Sequence, residues 1–167
     1  MDPIAHASIG LIARPAAPKA HPLVLVAATQ LPDLLFFAFQ RAGLEHQAAT
    51  KMDFRRGLTY LSPAHIPWSH GLATCITWSA MAGALAAWGY RDRRTGAVVA
   101  SLVFSHWLLD AVVYDNLPLT LDDSPKVGLG LVTTGSGVIA GMLAEAALIA
   151  GGIASCMLPR KRATLVG

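Results

Sequence analysis

The chain has 167 residues, 54% of them hydrophobic and only 14% charged, with a formal net charge of +3 and a mean hydropathy of +0.49. A soluble domain carries about 25% charged residues, so the composition excludes an ordinary soluble globule, a disordered chain and a nucleic-acid-binding surface built on many basic groups. It points instead to one integral membrane domain over residues 1–167, whose Lys and Arg act as anchors at the membrane face.

In chain order, Ile4 to Ala13 is apolar apart from His6 and Ser8 and closes at Arg14-Pro15. A helix of about ten residues extends about 15 Å, half a bilayer. Such a half-helix is tolerated when buried against other helices. We read it as the first arm of a hairpin returning through Pro15, Pro18 and Lys19; a helix lying on the membrane surface fits its length equally well. No basic residue precedes this stretch in the manner of a secretory leader. The second arm, residues 22–40, has Asp33 as its one formal charge, in "TQLPDLLFF". Pro32 there removes a helical hydrogen bond and frees a carbonyl that a buried polar neighbour must satisfy.

Residues 41–69 form the one long loop, which carries Glu45 and His46, read as solvated, and the basic residues Lys51, Arg55 and Arg56. It ends in "SPAHIPWSHGL", where Pro63 and Pro67 predict a loop and His70 stands at the start of the next helix. Residues 70–90 contain no Asp, Glu, Lys or Arg and form a membrane span. A tight basic turn (Arg91, Arg93, Arg94) leads into a second span over 97–117, which carries His106, Asp110 and Asp115. An acidic loop follows, and a last span begins near Ser136 and runs to Leu158 with Glu145 inside it. Gly137 and Gly141 in that span form a small-xxx-small pair suited to close packing on a neighbouring helix or a second copy of the chain. Cys75 and Cys156 lie within apolar runs and read as buried side chains rather than a disulfide.

The expected fold is therefore an all-α polytopic membrane bundle: an N-terminal helical hairpin and three further spans. In that topology Arg14, Lys19, Arg91, Arg93, Arg94, Arg160, Lys161 and Arg162 share one side, against Arg41, Lys51, Arg55, Arg56 and Lys126 on the other. The larger set predicts a cytoplasmic C-terminus in a cytoplasmic-type inner membrane and an external N-terminus.

Ionisable groups within a bilayer are costly and mark functional sites by default. Six such groups are metal-ligand types: His6, Asp33, His65, His70, His106 and Asp110. His106 and Asp110 are four residues apart, so one helix face presents both. The hairpin topology places His6, Asp33, His70 and Asp110 toward the outer side. Seven residues separate Asp33 from Gln40 and Asp110 from Leu117, which sets both carboxylates about 10 Å below the outer end of their segments. Glu145, mid-span, is at most a supporting group.

The order of these residues resembles the YdjM-like family of membrane-bound metal-dependent hydrolases: an N-terminal His, a Pro-Asp in the second helix, a His-x-x-x-x-His pair, then a downstream His and Asp. The family's hallmark has the form HRGxTHS, matched here by "HIPWSHG", with His65, Ser69 and His70 retained and Ile66-Pro67 in place of Arg-Gly. Its PDxDH element is "PDLLF" here, without the second Asp and the His. The resemblance extends from His6 to Asp110. The family's ligand pattern is similar to those of zinc phospholipase C and P1-type nucleases, which implies phosphoester hydrolysis.

Ligands of His and carboxylate without thiolate suit zinc, with manganese or iron as alternatives. The reading that results is a hydrolase of a membrane-embedded or membrane-surface ester, a lipid phosphoester in the first place. Asp33 and Asp110 are its catalytic candidates, and Lys51, Arg55 and Arg56 are candidates to hold an anionic headgroup. Two readings compete with it. An ion- or proton-transport or metal-binding protein would spread polar groups through the whole depth of the membrane. A helix-packing protein would use them only as staples and bind no metal.

Overall fold

The computed structural model describes residues 3–46, 51–53, 57–60, 65–131 and 135–157. Its helices are α1 (Pro3–Ile12), α2 (Pro22–Thr29), α3 (Leu31–Arg41), α4 (Pro67–His70), α5 (Leu72–Tyr90), α6 (Arg93–Val113) and α7 (Gly135–Met157). Two antiparallel two-stranded ladders lie in the loops, β1 (Lys51–Asp53) with β2 (Gly57–Tyr60) and β3 (Leu117–Pro118) with β4 (Lys126–Val127). The fold is all-α, as the apolar runs predict. Three helices are long and apolar enough to cross a membrane: α5, α6 and residues Ser136–Met157 of α7. They mark the chain as a membrane protein.

Proline sets most of the breaks. α1, α2, α3 and α4 each carry one in the first turn (Pro3, Pro22, Pro32, Pro67), where its missing N–H costs no helical bond. The turn after α1 is a short 3-10 segment, Arg14–Ala16, around Pro15. The expected second arm is two helices, not one: the chain breaks at Gln30 and α3 leaves α2 at 56°. Lacking an N–H, Pro32 cannot continue the α2 ladder, so the axis is free to bend. α6 also departs from expectation. It starts at Arg93 and ends at Val113, because Asp92 caps its first turn through Thr95 and Tyr114 turns to extended backbone.

Close helix approach rests on small residues. A Cβ added at Gly10 of α1 would lie 2.7 Å from the Leu25 carbonyl oxygen of α2, so only glycine permits this hairpin. Between α5 and α6, Gly83 and Gly96 face one another, and a Cβ at Gly96 would meet the Gly83 oxygen at 2.6 Å. α7 lies against α1 through Gly151 and Gly152: Gly152 packs on Ser8, and the Ser155 hydroxyl donates to the Leu11 carbonyl at 2.7 Å.

One core cluster joins the hairpin to α6 (Ala17, Ala20, Leu25 and Ala28 with Val99, Leu102 and Val103). A second, Cys75, Trp107 and Leu117, ties α5 and α6 to β3. Cys75 is buried as expected; Cys156 is exposed on α7, where large apolar side chains such as Ile139, Leu143 and Met157 also face outward. Outward apolar surface on a long helix is what lipid contact requires.

Candidate metal centre

Four elements bring five ionisable side chains together. α1 supplies His6, α3 supplies Asp33 one residue after its proline, α4 ends on His70, and α6 presents His106 and Asp110 from one face. Two overlapping triads have ligand atoms all within 4.8 Å of one another: His6, His106 and Asp110, and Asp33, His70 and His106. Such groups can hold a metal ion.

The two carboxylates face the Nε2 atoms of all three imidazoles. Asp110 Oδ1 lies 3.4 Å from His6 Nε2, and its Oδ2 lies 3.3 Å from His106 Nε2 and 3.8 Å from His70 Nε2. Asp33 Oδ1 lies 3.5 Å from His70 Nε2 and 3.6 Å from His106 Nε2. The rings pack tightly as well. His6 and His106 stack nearly parallel with centroids 3.9 Å apart, and Phe36 meets His70 edge-on.

The far sides of two rings are held. His106 Nδ1 donates to the Thr29 carbonyl at 2.7 Å. Thr29 is the last residue of α2, so the helix break at Gln30 supplies the acceptor that fixes this imidazole. With Nδ1 donating to that carbonyl, Nε2 faces the carboxylates, buried and with no hydrogen bond among the described residues. His70 Nδ1 lies 2.7 Å from Ser69 Oγ, again leaving Nε2 toward the cluster. Imidazoles anchored on one nitrogen and open on the other are how metal-binding histidines are prepared. His6 Nδ1 is likewise buried without a hydrogen-bond partner among the described residues. Two carboxylates converging on shared imidazole nitrogens gather negative charge in a buried pocket, and a cation is its natural complement.

His65 does not join this group. Its backbone forms a bridge with His46, with N–O distances of 3.1 and 2.9 Å, and its Nδ1 lies 3.3 Å from Asp123 Oδ2 in the loop after β3. The intervening α4 turn, with Pro67 at its first position, commits His65 and His70 to different surroundings. The expected common depth of the two carboxylates also changes. Asp110 lies three residues from the end of α6 at Val113, about 5 Å along the axis, whereas Asp33 belongs to a helix bent away from α2.

Arg55 and Arg56 lie outside the described residues, as does the side chain of Lys51, whose backbone begins β1. Glu145 is half-buried on α7 and belongs to neither triad.

Glu45 reverses the expectation of a solvated loop residue. It is buried, and its Oε1 accepts the backbone N–H groups of Trp68 and Ser69, each at 2.8 Å. A single carboxylate in a polar loop carries no periodicity that would reveal this from sequence. His21, by contrast, sits at the other end of α2, which it caps by accepting from Leu23 N–H.

Comparison with protein-family models, with curated proteins and with solved structures yields no match for this chain. The geometry alone assigns it: a membrane-helix protein with a buried His–Asp cluster able to hold a metal ion.

Proposed function

We propose that the chain is a membrane-embedded metal-dependent hydrolase acting on an ester, a lipid phosphoester in the first place. The observation that carries this reading is the convergence of His6, Asp33, His70, His106 and Asp110 from four helices with their Nε2 and carboxylate atoms turned inward. His6, His70, His106, Asp33 and Asp110 would hold the metal. The donor set, His and carboxylate without thiolate, suits zinc, with manganese or iron as alternatives. When bound, the metal supplies Lewis-acid polarisation of an ester oxygen and acidification of water.

The two carboxylates differ in access. The Asp33 side chain is 31% exposed and that of Asp110 6%, so substrate and water meet Asp33 first. Asp33 therefore stands on the side from which water and substrate would reach the site, and Asp110 lies within 3.3 to 3.8 Å of all three imidazoles. Around Asp33, α3 turns Leu34 and Phe37 outward, an apolar rim that suits a substrate with an acyl tail. The order of ligand types shared with the YdjM-like family supports the same chemistry.

The test is metal content of the detergent-purified chain beside turnover of a lipid phosphoester panel with added zinc or manganese. Bound metal with hydrolysis that is lost in Asp33→Ala and Asp110→Ala supports the proposal. Stoichiometric metal without turnover overturns it in favour of a metal-binding or transport protein, and absence of metal leaves only helix stapling.

A further inference from the structure

We infer that Glu45 is a positioning residue of the His–Asp cluster, acting through the α4 turn to set His70. The inference rests on the metal-site reading above. α4 is one turn, Pro67–His70, and its N-cap residue Ile66 offers no side-chain cap. Pro67 has no N–H, so the unsatisfied donors of the turn are those of Trp68 and Ser69. Glu45 Oε1 accepts both at 2.8 Å. Ser69 is wholly buried, and its hydroxyl lies 2.7 Å from His70 Nδ1. One carboxylate thus pins the backbone of the residue whose side chain pins the His70 ring.

Glu45 also connects two ligands. It lies four residues beyond the end of α3 at Arg41, and its own N–H donates to the Phe39 carbonyl at 3.3 Å. α3 carries Asp33, whose Oδ1 lies 3.5 Å from His70 Nε2. The His46–His65 backbone bridge then clamps the chain on either side of the carboxylate. Glu45 is 1% exposed and its second oxygen, Oε2, is buried with no hydrogen-bond partner among the described residues, so the two N–H groups it accepts are what fix the side chain. Groups that orient a ligand change metal affinity by about 10–100-fold when removed.

The experiment is a Co2+ titration of the full-length, detergent-purified chain against a competing chelator, with the visible absorption spectrum recorded. Wild type, Glu45→Ala, Glu45→Gln, Glu45→Asp and His70→Ala are compared, each verified as folded and monodisperse. Glu45→Ala is expected to weaken Co2+ binding by about 10–100-fold and to move the spectrum toward that of His70→Ala. Glu45→Gln, which keeps an acceptor at Oε1, is expected to restore affinity to within about threefold of wild type. Should Glu45→Ala fail to fold, Glu45→Asp carries the test: it keeps the charge but withdraws the oxygens by one methylene, and the same loss is expected. Folded Glu45→Ala or Glu45→Asp protein with wild-type affinity and spectrum overturns the inference while leaving the metal site standing. Wild-type protein that binds no Co2+ overturns the metal-site reading and this inference together.

Discussion

His106 shows how one side chain is prepared for a ligand by the break in another helix. Its Nδ1 proton goes to the carbonyl of Thr29, at the end of α2, and its Nε2 is left facing Asp110 and Asp33. The ring belongs to both triads, so its loss removes the shared point. His106→Ala and Asp110→Ala are each expected to lower zinc affinity by more than about tenfold, since even outer partners of a metal site cost that much. His65→Ala, whose ring lies against Asp123, is expected to leave affinity unchanged. Metal analysis after dialysis against a graded chelator checks both, and a His65→Ala loss equal to that of His106→Ala contradicts the assignment. The pair His106 and Asp110 was legible in the sequence because four residues is a helical repeat and the span is otherwise apolar. His65 was misplaced because spacing across a proline-rich loop says nothing about direction. Glu45 was missed because a charged side chain in a loop satisfies every expectation of a solvated one, and only the unpaired N–H groups of a turn not foreseen at 67–70 call for it.

At the scale of elements, the apolar runs located α5, α6 and α7 well, since length and hydropathy are what the bilayer selects. They did not locate the helix ends, which depend on single residues. α6 begins where Asp92 accepts from the Thr95 N–H and hydroxyl, with Arg91 in a left-handed conformation closing α5 just before it. The Thr95 hydroxyl first, then its N–H, and the nearby Lys19 ammonium hold the Asp92 carboxyl below its ordinary range. A carboxyl depressed by folding stabilises above its unfolded value and loses that contribution as pH falls through its folded value. The melting temperature of Asp92→Ala is therefore expected to lie below that of wild type by a constant margin from neutral pH to about pH 5, and the margin to shrink below about pH 4. A margin that grows on acidification contradicts the cap. Packing between α5 and α6 gives a second test. Gly96→Ala places a Cβ 2.6 Å from the Gly83 oxygen and is expected to destabilise by on the order of 1–3 kcal/mol. Gly89→Ala, with open space around the new atom, is expected to hold or raise stability. Denaturation in detergent distinguishes them, and equal stability of the two variants contradicts the close approach.

Across the whole molecule, the two ends of the helices differ in character. At one end the hairpin turn meets the α5–α6 turn: Lys19 Nζ lies 3.5 Å from Asp92 Oδ1, and the Tyr90 hydroxyl accepts from His21 N–H at 3.4 Å. Arg14, Lys19 and Arg91 belong to these turns, and Arg93 and Arg94 open α6 beside them. Toward the other end of α6 lie the His–Asp cluster and the loop carrying Asp122, Asp123 and Lys126. Basic residues close to helix ends are retained on the cytoplasmic side, so the hairpin turn and the α5–α6 turn are expected there, with the metal centre toward the external face. On that orientation the proposed site is expected to open near the external leaflet and to draw its substrate from that leaflet. Single cysteines at Arg91 and Asp122, both exposed, in a background with Cys75 and Cys156 replaced by alanine, test the arrangement in intact cells. Asp122→Cys is expected to react with a membrane-impermeant maleimide from outside, and Arg91→Cys only after the membrane is opened. Labelling in the reverse order would invert the protein in the membrane and move the site, and its substrate, to the cytoplasmic leaflet.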